Sequence, residues 1–251
     1  MTDVTRDEVC AVACAEAWRG DGEIFASGMG TMPMLGARLA KATFEPDLLV
    51  SDGEAFFVAG NMALGGTPEI VEGWIPFRTV FDTLWSGRRH VMMGASQLDR
   101  YGNQNIAAIG DWAKPKAMLL GVRGAPGNTA NHATSYWVPS HTTRVFVEQV
   151  DIVSGLGYQR AAEVGGFVAA HHEIRRVVTN LAVLDFETPD HTMRLRSVHP
   201  GTSVEEVLAA TGFELALPAG GVPESREPTA DELRALRVVL DPAGLRKSEI
   251  R

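Results

Sequence analysis

The run Gly28-Met29-Gly30-Thr31-Met32-Pro33 constrains this chain more than any other, because it falls where an apolar strand hands over to a helix. Upstream, residues 23–27 read as a short buried strand; downstream, residues 34–42 have helical spacing. Glycine lacks a Cβ, so it admits φ > 0 and lets a ligand come close to the backbone. The helix that follows aims its unpaired N–H groups and its positive dipole end at the same spot. Gly28, Met29, Gly30 and Thr31 are therefore a candidate oxyanion turn, with Pro33 at its edge. A tight strand-to-helix turn that holds no ligand has the same pattern.

Beyond the turn, strands and helices alternate, which predicts an α/β fold. Thr5 and Glu8 have capping-box spacing ahead of a helical face of Val9, Val12, Ala13 and Ala17. The short apolar runs 48–50, 91–93 and 117–120 suit buried parallel strands. Residues 79–85 and 128–136 are weaker helix candidates. From Thr143 the texture changes, and 144–147, 177–184 and 193–198 read as longer, partly antiparallel strands. A capped helix spans 202–211 and stops at Gly212. The expected organisation is a single domain over 1–251, with 217–228 a surface linker and 229–251 a C-terminal helix and tail, whose Leu233, Leu236, Val239 and Leu240 face inward.

With 251 residues and 45% hydrophobic content the chain can bury a sizeable core. A net charge of −8 and no basic stripe argue against a nucleic-acid partner. No apolar run reaches the roughly 18 residues of a membrane span, so no membrane partner is expected and the cytoplasm is the default compartment. Cys10 and Cys14, four apart on a helix, read as reduced packing residues. His171-His172-Glu173 cannot converge on a metal from adjacent positions, so no metal is expected. His132 and His141 read as buried or interface histidines, with acid–base chemistry the alternative. Trp74 and Phe77 read as core, with the lining of an apolar pocket the alternative.

Further glycine-rich and polar motifs follow in a fixed order. They are Val50-Ser51-Asp52-Gly53; Gly94-Ala95-Ser96-Gln97-Leu98-Asp99-Arg100-Tyr101-Gly102-Asn103-Gln104-Asn105; Ile109-Gly110-Asp111; Gly121 to Asn128; His199-Pro200-Gly201; and Thr211-Gly212-Phe213. In that order and spacing the chain resembles the β subunits of class I coenzyme A transferases, the glutaconate CoA-transferase branch in pattern, from about Gly20 to about Leu217. The resemblance implies a twisted, mainly parallel sheet flanked by helices, with a partly antiparallel C-terminal half. It also implies an α-subunit partner in a heterodimer or heterotetramer, and no cofactor beyond the coenzyme A carried by the substrate. Substrate and CoA contacts are then expected at Pro33, Gly53, Glu54, Gly94, Gln97, Asn103, Gly124, Gly127 and Asn128. The Gly124 to Asn128 loop would lie over the pantetheine or acyl group, although a plain turn fits it too.

One position departs from the family pattern. Transferases carry a nucleophilic glutamate in a Val-Glu-(Ser/Asn)-Gly run, whereas Ser51 stands there in this chain, followed by Asp52. Glu54 lies three residues past the expected place, where a period-two strand would not present it in the same geometry. The pattern is most similar to the β subunits of ring-opening hydrolases of bacterial cholesterol catabolism. That implies water attack on a ring carbonyl of a steroid-derived CoA thioester, carbon–carbon cleavage, an oxyanion turn at Gly28 to Thr31, and Ser51 or Asp52 positioning water or substrate, with the base on the partner subunit. A genuine CoA-transferase using Glu54 is the second reading. A non-enzymatic acyl-CoA or sugar-phosphate binding module is the third.

Overall fold

The computed structural model describes residues 3–51, 55–119 and 121–250. The first helix, α1 (Arg6–Glu16), starts as the sequence predicts: the Thr5 N–H donates to the Glu8 carboxylate at 3.0 Å. Next come β1 (Phe25–Gly28), α2 (Thr31–Thr43), an antiparallel hairpin of β2 (Phe56–Val58) and β3 (Val71–Trp74), and the short α3 (Phe77–Asp82). The buried strand β4 (Arg89–Gly94) leads into two small hairpins, β5 (Gln97–Leu98) with β6 (Gln104–Asn105) and β7 (Ala108–Ile109) with β8 (Ala117–Met118). The chain continues through α4 (Ala125–Asn131), β9 (Ala133–Val138), α5 (Tyr158–Val164), α6 (Gly166–His171) and β10 (Ile174–Thr179). It ends with β11 (Ala182–Asp185), β12 (Arg194–Val198), α7 (Val204–Ala209) and α8 (Ala230–Arg234).

The central sheet runs β1-β4-β9-β10-β11-β12. Its first four strands are parallel, and β11 and β12 are joined antiparallel, as the change of texture after Thr143 implies. Period-two alternation divides the core in two. Met92, Trp137 and Val178 face one side and pack with α1, α2 and the C-terminal Leu236 and Leu240. Val91, Met93, Tyr136, Val138 and Val177 face the other, where Ala125 of α4 joins them. Cys10 and Cys14 are buried free thiols in the first cluster, and burial pushes the Cys10 thiol up to about 12. Among the described residues no helix is long and apolar enough to cross a membrane.

Several local expectations are corrected. Residues 48–50 form no strand; Leu49 makes one parallel bridge to Phe25 at the open edge of β1. Residues 117–118 belong to an exposed two-residue antiparallel strand instead of a buried parallel one. The helix expected over 128–136 ends at Asn131, and the β-branched and aromatic residues after it become β9. Residues 144–147 form a turn with a single bridge at Phe146. The 217–228 stretch runs over the surface but is fastened to β12, with Val198 donating to Pro223 O at 3.0 Å and Ser225 donating to Val198 O at 2.7 Å.

The C-terminal helix begins at a capping box of Thr229 and Glu232, then widens into a π-helical turn over Ala235–Leu240. The extra residue per turn keeps Leu236 and Leu240 inward and rotates Val239 out, contrary to the expectation for Val239. This segment is held against α1 by buried ion pairs, with Arg246 3.0 Å from Glu8 and 2.9 Å from Asp241. Burial alone would raise the Glu8 pKa, but hydrogen bonds from Arg237 and Thr5 outweigh it and bring it down to about 2.

The helices α1 and α2 cross at Gly36, where a Cβ would meet Cys14 Cβ at 2.7 Å and backbone atoms of Cys14 and Ala15 at 3.1 Å. Glycine inside a helix costs up to about 1 kcal/mol against alanine, so the close crossing must outweigh that cost. Gly36→Ala is expected to destabilise the fold by about 1–3 kcal/mol through overpacking, despite alanine's better helix propensity. Thermal unfolding of the purified protein measures this, and an unchanged or raised midpoint would show that the crossing has room to relax.

Candidate active site

The carboxyl ends of β1 and β4 meet at the Gly28 turn. A Cβ on Gly28 would lie 2.5 Å from Met34 N and Pro33 C, so only glycine lets the strand end abut the start of α2. Gly30 caps that helix at φ +110°, a conformation that excludes ordinary side chains. The Met29 N–H is already used, donating to Met92 O of β4 at 2.9 Å. That bond ties the turn to the sheet, and the N–H groups of Gly30, Thr31 and Met32, at the start of α2, have no intrahelical acceptor. Pro33 has no N–H to contribute, and Met34 closes the first turn by donating to Gly30 O at 3.0 Å. Met29 thus contributes its side chain to the cavity wall and its amide to the bond with β4.

Ser51 reaches the same edge of the sheet. The bridge between Leu49 and Phe25 runs parallel to β1, and that register carries Ser51, two residues on, towards the height of Ser27. Ser51 is half-buried and bridges Phe57 of β2. Asp52, Gly53 and Glu54 lie outside the described residues.

A cavity of about 510 Å³ opens beside the turn. Met29, Gly94, Gly124 and Asn128, four of the residues singled out in the sequence, line it together. Its walls are otherwise largely apolar, with Phe77, Val80, Phe81 and Leu84 on the α3 side and Met93, Ile106 and Ala125 opposite. That size and a mostly apolar lining with a few polar groups suit a small organic acyl group. Gly127 is not in the lining; it packs α4 against Leu84, whose Cβ would be 3.3 Å from a Cβ placed there.

Gln97 and Asn103 also fall outside the lining, and their polar atoms are used within the scaffold. Gln97 Oε1 accepts from Asn105 Nδ2 at 2.7 Å and from Asp151 N at 3.0 Å. Asn103 donates to Asp99 at 2.8 Å and accepts from Gly157 N at 2.8 Å. The motif that contains them builds a hydrogen-bonded platform under the cavity. Trp74 and Phe77, expected in the core, are 68% and 69% exposed. Phe77 lines the cavity, while Trp74 stands on the outer hairpin.

The two candidate histidines are buried, as expected. His141 is stacked on Phe146 and bonded to Thr179 and Thr211 hydroxyls, and burial lowers its pKa to about 3. His132 bonds the Thr83 carbonyl at 2.9 Å, and burial lowers its pKa as well. His172 bonds the Thr129 carbonyl, and His171 ends α6. Among the described residues the cavity lining carries no carboxylate and no imidazole.

Arg89 is a charged lining residue that sequence reading passes over; the lining's other arginine, Arg123, lies in the Gly121 to Asn128 motif. Arg89 opens β4 and shares the cavity-facing side of that strand with Val91 and Met93, while His90 turns to the opposite face and bonds Asp21 at 2.7 Å. The signal lay in a charged Arg88-Arg89-His90 run heading directly into the apolar Val91-Met92-Met93.

This geometry, a glycine turn at a strand-to-helix junction beside an apolar cavity at the sheet's carboxyl edge, agrees with the sequence comparisons. The chain belongs to the coenzyme A transferase family, which it matches over residues 14–210. The cholesterol ring-cleaving hydrolase IpdB subunit of Rhodococcus jostii RHA1 is 55% identical over 251 residues, 100% of this chain and 98% of that protein. The crystal structure of IpdAB from the same organism superposes with a TM-score of 0.94 at 53% identity, covering 100% of both chains. Glutaconate coenzyme A-transferase of Acidaminococcus fermentans superposes with a TM-score of 0.76 at 25% identity, covering 97% of each chain.

Gly30→Val forces a β-branched residue into φ +110° at the cap of α2 and disturbs the amides at the start of that helix. Turnover is expected to fall by roughly two to four orders of magnitude, the scale of losing one or more preorganised donors. Steady-state assay of the assembled enzyme tests this, and near-normal rates would make the turn structural only.

Proposed function

We propose that this chain is the β-type subunit of a heteromeric hydrolase that opens a ring of a steroid-derived acyl-CoA by cleaving a carbon–carbon bond. The observation that carries this reading is the 55% identity, over essentially the whole of both chains, to a cholesterol ring-cleaving hydrolase subunit. Ser51 in place of the transferase glutamate points the same way.

In this scheme the acyl group lies against the apolar walls formed by Phe77, Val80, Phe81 and Met93. Water adds to a ring carbonyl, a base takes its proton, and the oxygen of the adduct becomes an oxyanion. The adduct then collapses: the carbon–carbon bond breaks, its electron pair moves onto the neighbouring carbon as an enolate, and a proton quenches that carbon. The products are an opened chain and a new carboxylate. The amides of Gly30, Thr31 and Met32 offer preorganised donors for the charge that develops on oxygen. Ser51, at the same edge, is placed to orient water or substrate. The base is assigned to the partner subunit, which would close the cavity from outside.

The exposed side chains support a partner on this side. Trp74, Phe77 and Trp85 are each more than two-thirds exposed, and Ile70 and Val71 extend the apolar surface along β3. Phe77 lines the cavity itself, and we assign the α-type subunit to this apolar face.

Co-expression with an α-type partner, followed by assay in 18O-labelled water, tests the scheme. The complex is expected to place the label in the new carboxylate, to accumulate no CoA adduct on the protein, and to lose at most about tenfold in rate on Glu54→Ala, while the isolated chain is inactive. A CoA-sized mass addition on Glu54 would instead establish the transferase reading, and full activity of the isolated chain would refute the role of a partner.

A further inference from the structure

On the face of the sheet opposite the cavity at the Gly28 turn, a second cavity of about 340 Å³ lies between α1, the antiparallel end of the sheet and the 217–228 strap. Val12 and Val183, both of the first core cluster, give it an apolar base. Arg19, Arg176, Arg196 and Arg226 line it as well, and Glu16 is the one carboxylate in the lining among the described residues. The strap brings in Ser225 and Arg226, because its hydrogen bonds to Val198 hold it against β12.

The four arginines are not equally satisfied. Arg19 and Arg226 share Glu16, and Arg226 also pairs with Glu232, so two cations meet two carboxylates. Arg176 and Arg196 form a group with Arg194, and these three guanidiniums share two carboxylates, Asp185 and Glu187. That group holds one more positive charge than negative. Arg176 and Arg196 each reach the carboxylates through Nη1 alone, at 3.1 to 3.3 Å, and among the described residues no acceptor meets their Nε and Nη2. Burial lowers the Arg176 pKa, and the charge on Arg196 lowers it further, against the pull of Glu187 and Asp185.

The hydroxyls beside them have a fixed polarity. The Thr179 carbonyl can only accept, so His199, 2.9 Å away, presents Nε2–H to it and a lone pair at Nδ1. Burial brings the His199 pKa down to about 4, so the ring is neutral at neutral pH. Ser225 donates to that Nδ1 at 3.0 Å, and Ser197 in turn donates to Ser225 at 2.8 Å. Ser197 Oγ, its proton committed to this chain, offers the cavity a lone pair.

We propose that this second cavity binds a small hydroxylated phosphate monoester, its phosphate held between Arg176 and Arg196 and a hydroxyl of its carbon chain donating to Ser197 Oγ. A dianionic phosphate meets the surplus charge, and its oxygens accept from the unused guanidinium forks. The carbon chain covers Val12 and Val183. Because the ligand touches both the sheet and α1 beside the strap, its binding couples to the stability of that corner of the fold. The site does not depend on the hydrolase reading.

Titration calorimetry of the assembled complex with glycerol 3-phosphate at low salt, with and without saturating coenzyme A, tests the site. Binding is expected in both conditions, because the two cavities lie on opposite faces of the sheet. Arg196→Gln, at a side chain that is 43% exposed, should weaken binding by about tenfold, the scale of losing a charge-assisted contact. Glu187→Gln, which removes a competing acceptor, should tighten it. Ser197→Ala should weaken glycerol 3-phosphate and leave inorganic phosphate unaffected. A parent complex that does not bind, equal binding by the parent and Arg196→Gln, or displacement by coenzyme A overturns the inference. If Arg196→Gln does not assemble, Glu187→Gln decides, and binding no tighter than the parent's overturns it.

Discussion

The fold turns on one missing atom, the Cβ of residue 28. With a side chain there, β1 could not end against Pro33 and Met34, and α2 would have to start elsewhere. Helix α2 would then lose its crossing with α1 at Gly36, and α1 in turn anchors the C-terminal segment through Glu8 and Arg246. The Met29 amide completes the junction by bonding β4, so strand pairing and helix placement are set at a single turn. The amides of that turn are therefore supported by rigid elements on three sides, which is the condition for preorganised donors to act on developing charge.

Strand β4 shows how alternation along one strand sorts chemistry between two faces. His90 points towards Trp18 and is fully enclosed, with a carboxylate on one ring nitrogen and the Ser135 hydroxyl 2.9 Å from the other. Burial lowers the His90 pKa more than Asp21 raises it; burial would raise the Asp21 pKa, but His90 and Arg175 outweigh that and lower it. That face is electrostatically closed. Arg89, the neighbouring residue, faces the cavity, and among the described residues its hydrogen-bond partners are the neutral Thr83 and Asn128. Two basic residues side by side in sequence thus differ in what the fold supplies to them.

The sequence reveals those parts of the structure that depend on local rules. The capping boxes at Thr5 and Thr229, the glycine turn before α2 and the antiparallel C-terminal half all follow from residue chemistry acting over a few positions. The exposure of Trp74 and Phe77 does not, because an apolar residue destined for a partner or a cavity has the same composition as one destined for the core. Val239 is misplaced by a change of helical pitch that periodicity alone does not encode. Of the motif residues, Gly94, Gly124 and Asn128 line the cavity with Met29, whereas Gln97 and Asn103 accept hydrogen bonds from Asp151 and Gly157 and lie outside it. Arg89 is hidden for the opposite reason: a charged residue at the start of a buried strand gives no motif, and its place in the cavity wall beside Asn128 is visible only in three dimensions.

The distribution of tryptophan gives the molecule an optical property tied to its assembly. Of the five tryptophans, Trp18 and Trp137 sit in the core, while Trp74, Trp85 and Trp112 stand in solvent. Indole emission moves to shorter wavelength when water is removed from around the ring. The core pair already emits from a dry environment, so docking of a subunit over Trp74 and Trp85 would be reported by the surface rings, from within the native chain and without any label.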